Sequence, residues 1–245
     1  MAEHVVVLGA SGGIGREIVK HLIARGHTVT AVARDAGRLQ ALTKRVAAPE
    51  RLTLLPASLG DEDSAAQMVR ALRERNLPVT AVVAALRGTV ESGRLLERLA
   101  SAVSRTLDQD VVANFIAAKH LLPLLAESGR DPARYLLLSG PMAACAWSGY
   151  GHVSIAAAAL QMLTRVLREE AKELPVTVQQ LQIGTPVRTE TNQKHVCPDW
   201  ISADDVARRV VDLIERRDTN IPIVELGAYG AAQRANPALR ARSLS

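Results

Sequence analysis

The stretch Gly9-Ala10-Ser11-Gly12-Gly13-Ile14-Gly15-Arg16 restricts how this chain can fold more than any other. It follows an apolar run from His4 to Leu8 and opens a helical pattern predicted from Gly13 to Arg25. Glycines in such a turn let the backbone approach a pyrophosphate, which the positive end of the following helix attracts. A glycine pattern alone is weak evidence, and a turn that binds nothing is the plainer alternative. Its place between a first strand and a first helix is the context that gives the pattern meaning.

The rest of the chain repeats that strand-then-helix rhythm. Strands are predicted at His4 to Leu8, Thr28 to Ala33, Arg51 to Leu55, Val79 to Ala85, Tyr135 to Ser139, Val176 to Ile183 and Ile221 to Glu225. Most are almost continuously apolar, as strands covered on both faces are. Helices are predicted at Gly13 to Arg25, Ala36 to Ala47, Glu62 to Arg75, Ser104 to Glu127, Val153 to Glu173 and Ala203 to Arg217. Asp61 is placed to cap the third, and Pro175 closes the fifth. This alternation predicts an α/β fold: a doubly wound, seven-stranded, mostly parallel sheet with helices on both faces. No linker or repeat divides the chain, so residues 1–227 read as one domain and residues 228–245 as a C-terminal tail.

Composition excludes several classes of function. The net charge is +5, but the arginines are scattered among acids, and aromatic residues make up only 2%. With so few rings to stack on bases, a nucleic-acid partner is not expected. Cys145 and Cys197 suit neither a disulfide framework nor a zinc site, so no metal is expected. No apolar run reaches membrane-spanning length, no membrane partner is expected, and the predicted location is cytoplasmic.

The second strand ends at Ala33-Arg34-Asp35. An arginine just past a strand end suits the 2′-phosphate of NADP, whereas an acid there accepts from the ribose of NAD. Arg34 in that slot favours NADP(H), with possible help from Arg16. A shift by one residue would put Asp35 there and admit NAD(H).

Together these features resemble the short-chain dehydrogenase/reductase family. The likeness rests on Gly9-x-x-x-Gly13-x-Gly15 and on Arg34-Asp35-x-x-Arg38-Leu39. It continues through Asp108, Phe115 and Pro123, Leu160-x-x-Leu163-Thr164-Arg165 with Glu170, Gly184 with Thr189, and Ser202-Ala203-Asp204-Asp205-Val206-Ala207. It covers roughly residues 4 to 227. The resemblance implies a Rossmann-type sheet and a dinucleotide site formed by Gly9, Ser11, Gly12, Gly13, Ile14, Gly15, Arg34, Ser58, Leu59, Ala84, Ala85 and Gly184. It also implies a homodimer or homotetramer built on the two long helices, here those beginning near Ser104 and Val153.

Family members reduce carbonyls or oxidise alcohols with a tyrosine, a lysine four residues later, a serine and an asparagine. The lysine is needed because a phenol titrates near 10 and gives up its proton poorly without a neighbouring cation. In this chain the asparagine slot falls on Asp110, with Asn114 one turn further on. The serine slot falls on Gly140, beside Ser139; the tyrosine slot is Val153 and the lysine slot Ala157. All four are changed. Tyr150, one turn before Val153, is the candidate for a relocated acid, and Ser139 for a carbonyl-orienting hydroxyl, although strand alternation turns Ser139 away from the cleft. His152 reads as a surface residue of the preceding loop, and Arg87 as a group that binds an anion or merely solvates its turn. Three readings stay open: a divergent NADP(H)-dependent oxidoreductase acting on a small-molecule substrate, a non-catalytic dinucleotide-binding regulatory or partner subunit, and a cyclase or isomerase on the same scaffold.

Overall fold

The computed structural model describes residues 2–130, 132–143, 146–193, 197–216 and 221–227. The chain runs β1 (His4–Leu8), α1 (Gly13–Ala24), β2 (Thr28–Ala33), α2 (Ala36–Gln40), β3 (Leu52–Pro56), α3 (Glu62–Arg73) and β4 (Ala81–Ala84). It continues through α4 (Ala100–Leu107), α5 (Ala113–Ala126), β5 (Ala133–Ser139), α6 (Gly151–Glu170) and β6 (Val176–Ile183). A two-residue strand pair, β7 (Val187–Arg188) and β8 (Ile201–Ser202), precedes α7 (Ala203–Glu215) and β9 (Ile223–Leu226). The expected tail lies outside the described residues.

Seven strands form one sheet in the order β3-β2-β1-β4-β5-β6-β9, and every pairing is parallel. The fold is the expected Rossmann-type α/β sheet. The apolar strands explain it directly. In β1, Val6 and Leu8 enter the core layer with Met68, Leu121 and Leu125, while Val5 and Val7 enter the other with Ile18, Leu22 and Val210. Both faces of the strand are thus buried, and its backbone can be satisfied only within the sheet. Each fully buried branched side chain contributes about 1.5–3 kcal/mol.

Several elements depart from the sequence reading. The second helix was expected to reach Ala47; α2 stops at Gln40, and short 3-10 turns follow at Thr43–Arg45 and Pro49–Arg51. The long helix expected from Ser104 begins at Ala100 and is interrupted by a π-turn at Asp108–Val112. There the Asn114 side-chain amide donates to the Asp110 carbonyl over 2.7 Å, so a side chain serves a backbone acceptor within the helix. Extra-residue turns of this kind recur at functional sites. Helix α6 begins at Gly151, two residues earlier than expected, and Thr164 pins it to β6: its hydroxyl lies 3.0 Å from the Leu160 carbonyl and 2.8 Å from Gln180 Oε1.

Candidate functional site

The glycine turn sits at the carboxyl end of β1, next to the point where the strand order reverses between β1 and β4. In open α/β sheets that reversal leaves a crevice in which ligands bind. Gly9 has φ +73°, and a Cβ on it would stand 2.4 Å from the Ala85 carbonyl oxygen. A Cβ on Gly15 would stand 2.3 Å from the Gly9 carbonyl oxygen. Both positions therefore demand glycine, and the turn closes with the Gly12 amide donating to Gly9 O over 3.0 Å. No side chain caps α1, whose Gly12 N-cap brings only backbone, so its first-turn amides remain available to an anion. Ser11, Gly12, Gly13 and Ile14 lie along this edge. Ala84 ends β4, and the Ala85 amide bonds to Leu8 O over 3.1 Å; Gly184 closes β6 by donating to Leu226 O over 2.8 Å.

At the end of β2, Asp35 caps α2 by accepting the Arg38 amide over 2.9 Å. Arg34 is exposed, and Arg38 reaches from one helical turn on to donate to the Ser11 carbonyl over 3.3 Å. Arg38 belongs to the Arg34-Asp35-x-x-Arg38-Leu39 segment, in which the sequence assigns a cofactor role to Arg34 alone; it lies within α2, whereas Arg34 precedes the Asp35 N-cap. Arg16 is engaged elsewhere: it lies 3.6 Å from Glu190, which Arg45 also holds at 2.7 Å. Ser58 is half-buried and accepts the Gly60 amide over 3.1 Å. The Leu59 side chain packs into the core rather than standing free at the crevice edge.

The four positions onto which the resemblance maps the catalytic slots meet in space. Asp110, Gly140, Val153 and Ala157 line one cavity of about 40 Å³, together with Arg87, Ser139 and apolar side chains including Leu86, Met142 and Leu160. Among the described residues, neither a tyrosine nor a lysine lines it. The Gly88 amide donates to Asp110 Oδ1 over 2.6 Å. Burial pushes the Asp110 carboxyl above the ordinary carboxylate range, opposed by that hydrogen bond and by the nearby Arg87 and His152. Arg87 is an exposed residue whose side chain lines the cavity. Crowding by protein draws its pKa down and Asp110 opposes this, although an arginine stays protonated throughout.

Ser139 was expected to turn away from the cleft; instead it lines the cavity, and its buried Oγ has no hydrogen-bond partner among the described residues. It is the last residue of β5, where the chain bends into the 3-10 turn Pro141–Ala143 and strict alternation ends. Tyr150 does not line the cavity. It precedes α6 as its N-cap residue, and its ring meets Trp147 edge-on at 6.5 Å within a cluster that includes Val153 and Ala157. His152 is not a surface loop residue: it lies in the first turn of α6, 2% exposed, with Nδ1 unpartnered. That burial lowers its pKa and Arg98 adds to the effect, while Asp110 and Glu91 oppose it. Cys197 is half-buried, and Cys145 lies outside the described residues.

Away from the cleft, Glu17, His21 and Asp204 have metal-ligand chemistry within 4.8 Å of one another. Each is already engaged, by the His21–Asp204 contact at 2.7 Å, by Arg208 on Asp204 and by Lys20 on Glu17. Among the described residues, no helix is long and apolar enough to cross a membrane.

A parallel doubly wound sheet with a glycine cradle at its reversal point defines the class of nucleotide-binding α/β proteins. This chain belongs to the short chain dehydrogenase family, which its residues 3–197 match. It is similar to the NADPH-dependent pterin aldehyde reductase of Arabidopsis thaliana, with 29% identity over 127 residues, 51% of each chain. The stretches matched in the curated relatives span between 51% and 65% of those proteins' own lengths. In fold it resembles the RhlG/NADP active-site complex of Pseudomonas aeruginosa, with TM-score 0.82, 22% identity, and 93% and 96% of the two chains covered. It likewise resembles a short chain oxidoreductase of Pseudomonas aeruginosa that contains an atypical catalytic center, with TM-score 0.81, 19% identity, and 93% and 96% coverage.

Proposed function

We propose that this protein is an NADP(H)-dependent oxidoreductase that works on a small carbonyl or alcohol without the tyrosine–lysine pair. The observation that carries the reading is the turn of Gly9 and Gly15, packed backbone to backbone with no room for a side chain, before a helix whose first-turn amides no side chain caps. Gly9, Ser11, Gly12, Gly13, Ile14 and Gly15 hold the pyrophosphate. Arg34 and Arg38 hold the 2′-phosphate, a choice supported by Asp35 being occupied as a helix cap. Ser58 and Leu59 border the adenine, and Ala84, Ala85 and Gly184 border the nicotinamide half. The bound cofactor supplies hydride, a chemistry that belongs to it rather than to the protein.

The chain's own residues position the substrate and handle the proton. The unpartnered Ser139 hydroxyl orients the carbonyl oxygen. Asp110, at the cavity and pushed toward its protonated form, is the best-placed proton donor. Tyr150, one packing layer away beside Trp147, is the other candidate. Positioning alone lowers such a barrier by several kcal/mol.

A second reading, cofactor binding without turnover, is favoured by the absence of tyrosine and lysine from the cavity lining among the described residues. One experiment separates the two. Purified protein is tested for thermal stabilisation by NADPH and NADH, then for NADPH consumption with a carbonyl and imine panel. Stabilisation with turnover supports the oxidoreductase, and stabilisation without turnover on any substrate supports the binder. Failure of both cofactors to stabilise the protein would sink both readings. Comparing Asp110→Asn with Tyr150→Phe assigns the proton donor: the variant that loses turnover while still binding NADPH identifies it.

A further inference from the structure

Arg87 follows β4 at the carboxyl edge of the sheet, the side on which ligands of such folds bind. Its Nη1 stands 3.5 Å from where a Cβ on Gly140 would be, which is contact distance, so the guanidinium lies directly against the backbone at 140. In the family pattern that position belongs to the carbonyl-orienting serine. Here a cation has taken over the space beside it.

A guanidinium carries five donors in a planar fork and no acceptor. Among the described residues, none of Arg87's donors has a hydrogen-bond acceptor and no carboxylate lies within ion-pair distance of it. Asp110 acts on it only through space, and one oxygen of that carboxylate is already taken by the Gly88 amide. The neighbouring Ser139 hydroxyl, 93% buried, is also unpartnered. Beside the buried, unpartnered Ser139 hydroxyl, this exposed fork of donors offers a place for an acceptor from outside the chain. The fork geometry fits a carboxylate edge-on, and the nearby Asp110 disfavours a dianion such as phosphate.

We propose that Arg87 is a substrate-recognition residue, and that the substrates are carbonyl compounds bearing an adjacent carboxylate, held by Arg87 in the cavity it shares with Ser139, Gly140 and Asp110. This rests on the oxidoreductase reading for the identity of the reacting group; the anion site itself does not depend on cofactor binding.

The test uses the full chain, with and without saturating NADPH. Pyruvate, acetoacetate, their methyl esters and inorganic phosphate are compared by calorimetric titration and as substrates. The acids should bind at least about tenfold more tightly than the esters, as loss of a charge-assisted pair implies. Arg87→Gln should abolish that preference, Arg87→Lys should retain only part of it, and both should keep stabilisation by NADPH as proof of folding. Equal binding of acids and esters, or an acid preference that survives Arg87→Gln, would overturn the proposal. Phosphate binding through Arg87 more tightly than either acid would overturn the carboxylate class. An NADPH response without any acid preference defeats this inference alone, whereas acid binding without any NADPH response defeats only the oxidoreductase reading.

Discussion

The Gly88 amide and the Asp110 carboxylate are joined by a 2.6 Å hydrogen bond. It ties the turn after β4, which carries Arg87, to the π-turn that interrupts the helix between α4 and α5. The bond fixes one wall of the cavity to another across 22 residues of sequence. It also holds an acid where burial opposes its charge, and that makes Asp110 both a chemical candidate and a source of instability.

Asp110→Asn keeps an acceptor for Gly88 but removes the buried charge. Because the folded-state pKa is raised above its usual 3.8, the folded protein binds the proton more tightly than the unfolded chain does. Stability therefore falls as pH rises from about 4 through the folded-state pKa. The variant should melt higher than the parent at neutral pH, and this gain should vanish below about pH 4. Turnover should drop by about a hundredfold or more, the ordinary contribution of a general acid. Melting curves across pH and steady-state rates check both; a variant less stable than the parent at pH 7 would show that the charge is compensated.

Gly9→Ala forces a side chain into a backbone at φ +73° and onto the Ala85 carbonyl. Strain of this kind costs about 1–3 kcal/mol, and for a chain of this length each kcal/mol lowers the melting temperature by about 2–4 °C. Thermal denaturation should show that fall, and the stabilisation by NADPH should disappear with it. Unchanged NADPH stabilisation in this variant would refute the cradle.

Arg34→Ala and Arg38→Ala should each weaken NADPH binding by about tenfold while leaving NADH binding within about twofold, because only the 2′-phosphate needs a guanidinium. Fluorescence titration with both cofactors reads the ratio directly. Equal losses for the two cofactors would mean that the arginines support the Ser11 turn and not the phosphate.

The outer faces of α5 and α6 carry apolar side chains with no cover: Phe115, Ile155, Met162 and Val166 are each more than 40% exposed. Residues 155, 162 and 166 follow helical spacing along one face of α6. We expect two copies to pair across this surface, giving a dimer or, by a second such contact, a tetramer. Light scattering at micromolar concentration should find an oligomer that Met162→Glu converts to monomer. A parent protein that is already monomeric ends the idea.

Much of the fold was legible in the chain. The strands His4–Leu8, Thr28–Ala33 and Val176–Ile183 fall where their apolar runs predict, because burial on both faces leaves no room for polar residues. The π-turn at Asp108–Val112 was not legible, since it depends on a side-chain bond from Asn114 that no periodicity encodes. Nor was the exposure of Ser139 to the cavity, or the burial of His152, because both sit where a regular element begins or ends and pattern rules lapse.

By itself, the sequence determined the alternating α/β architecture and the glycine turn, and it put Val153 and Ala157 where the resemblance expects a tyrosine and a lysine. These are local properties of residue type and spacing. The tertiary structure alone decided that Arg87, Asp110, Ser139, Gly140, Val153 and Ala157 face one another. Parallel pairing sets β4 beside β5, and the helices that cross over the sheet return the chain to the same edge each time. Residues as far apart as 87 and 157 become neighbours through that register, which no local pattern in the chain records.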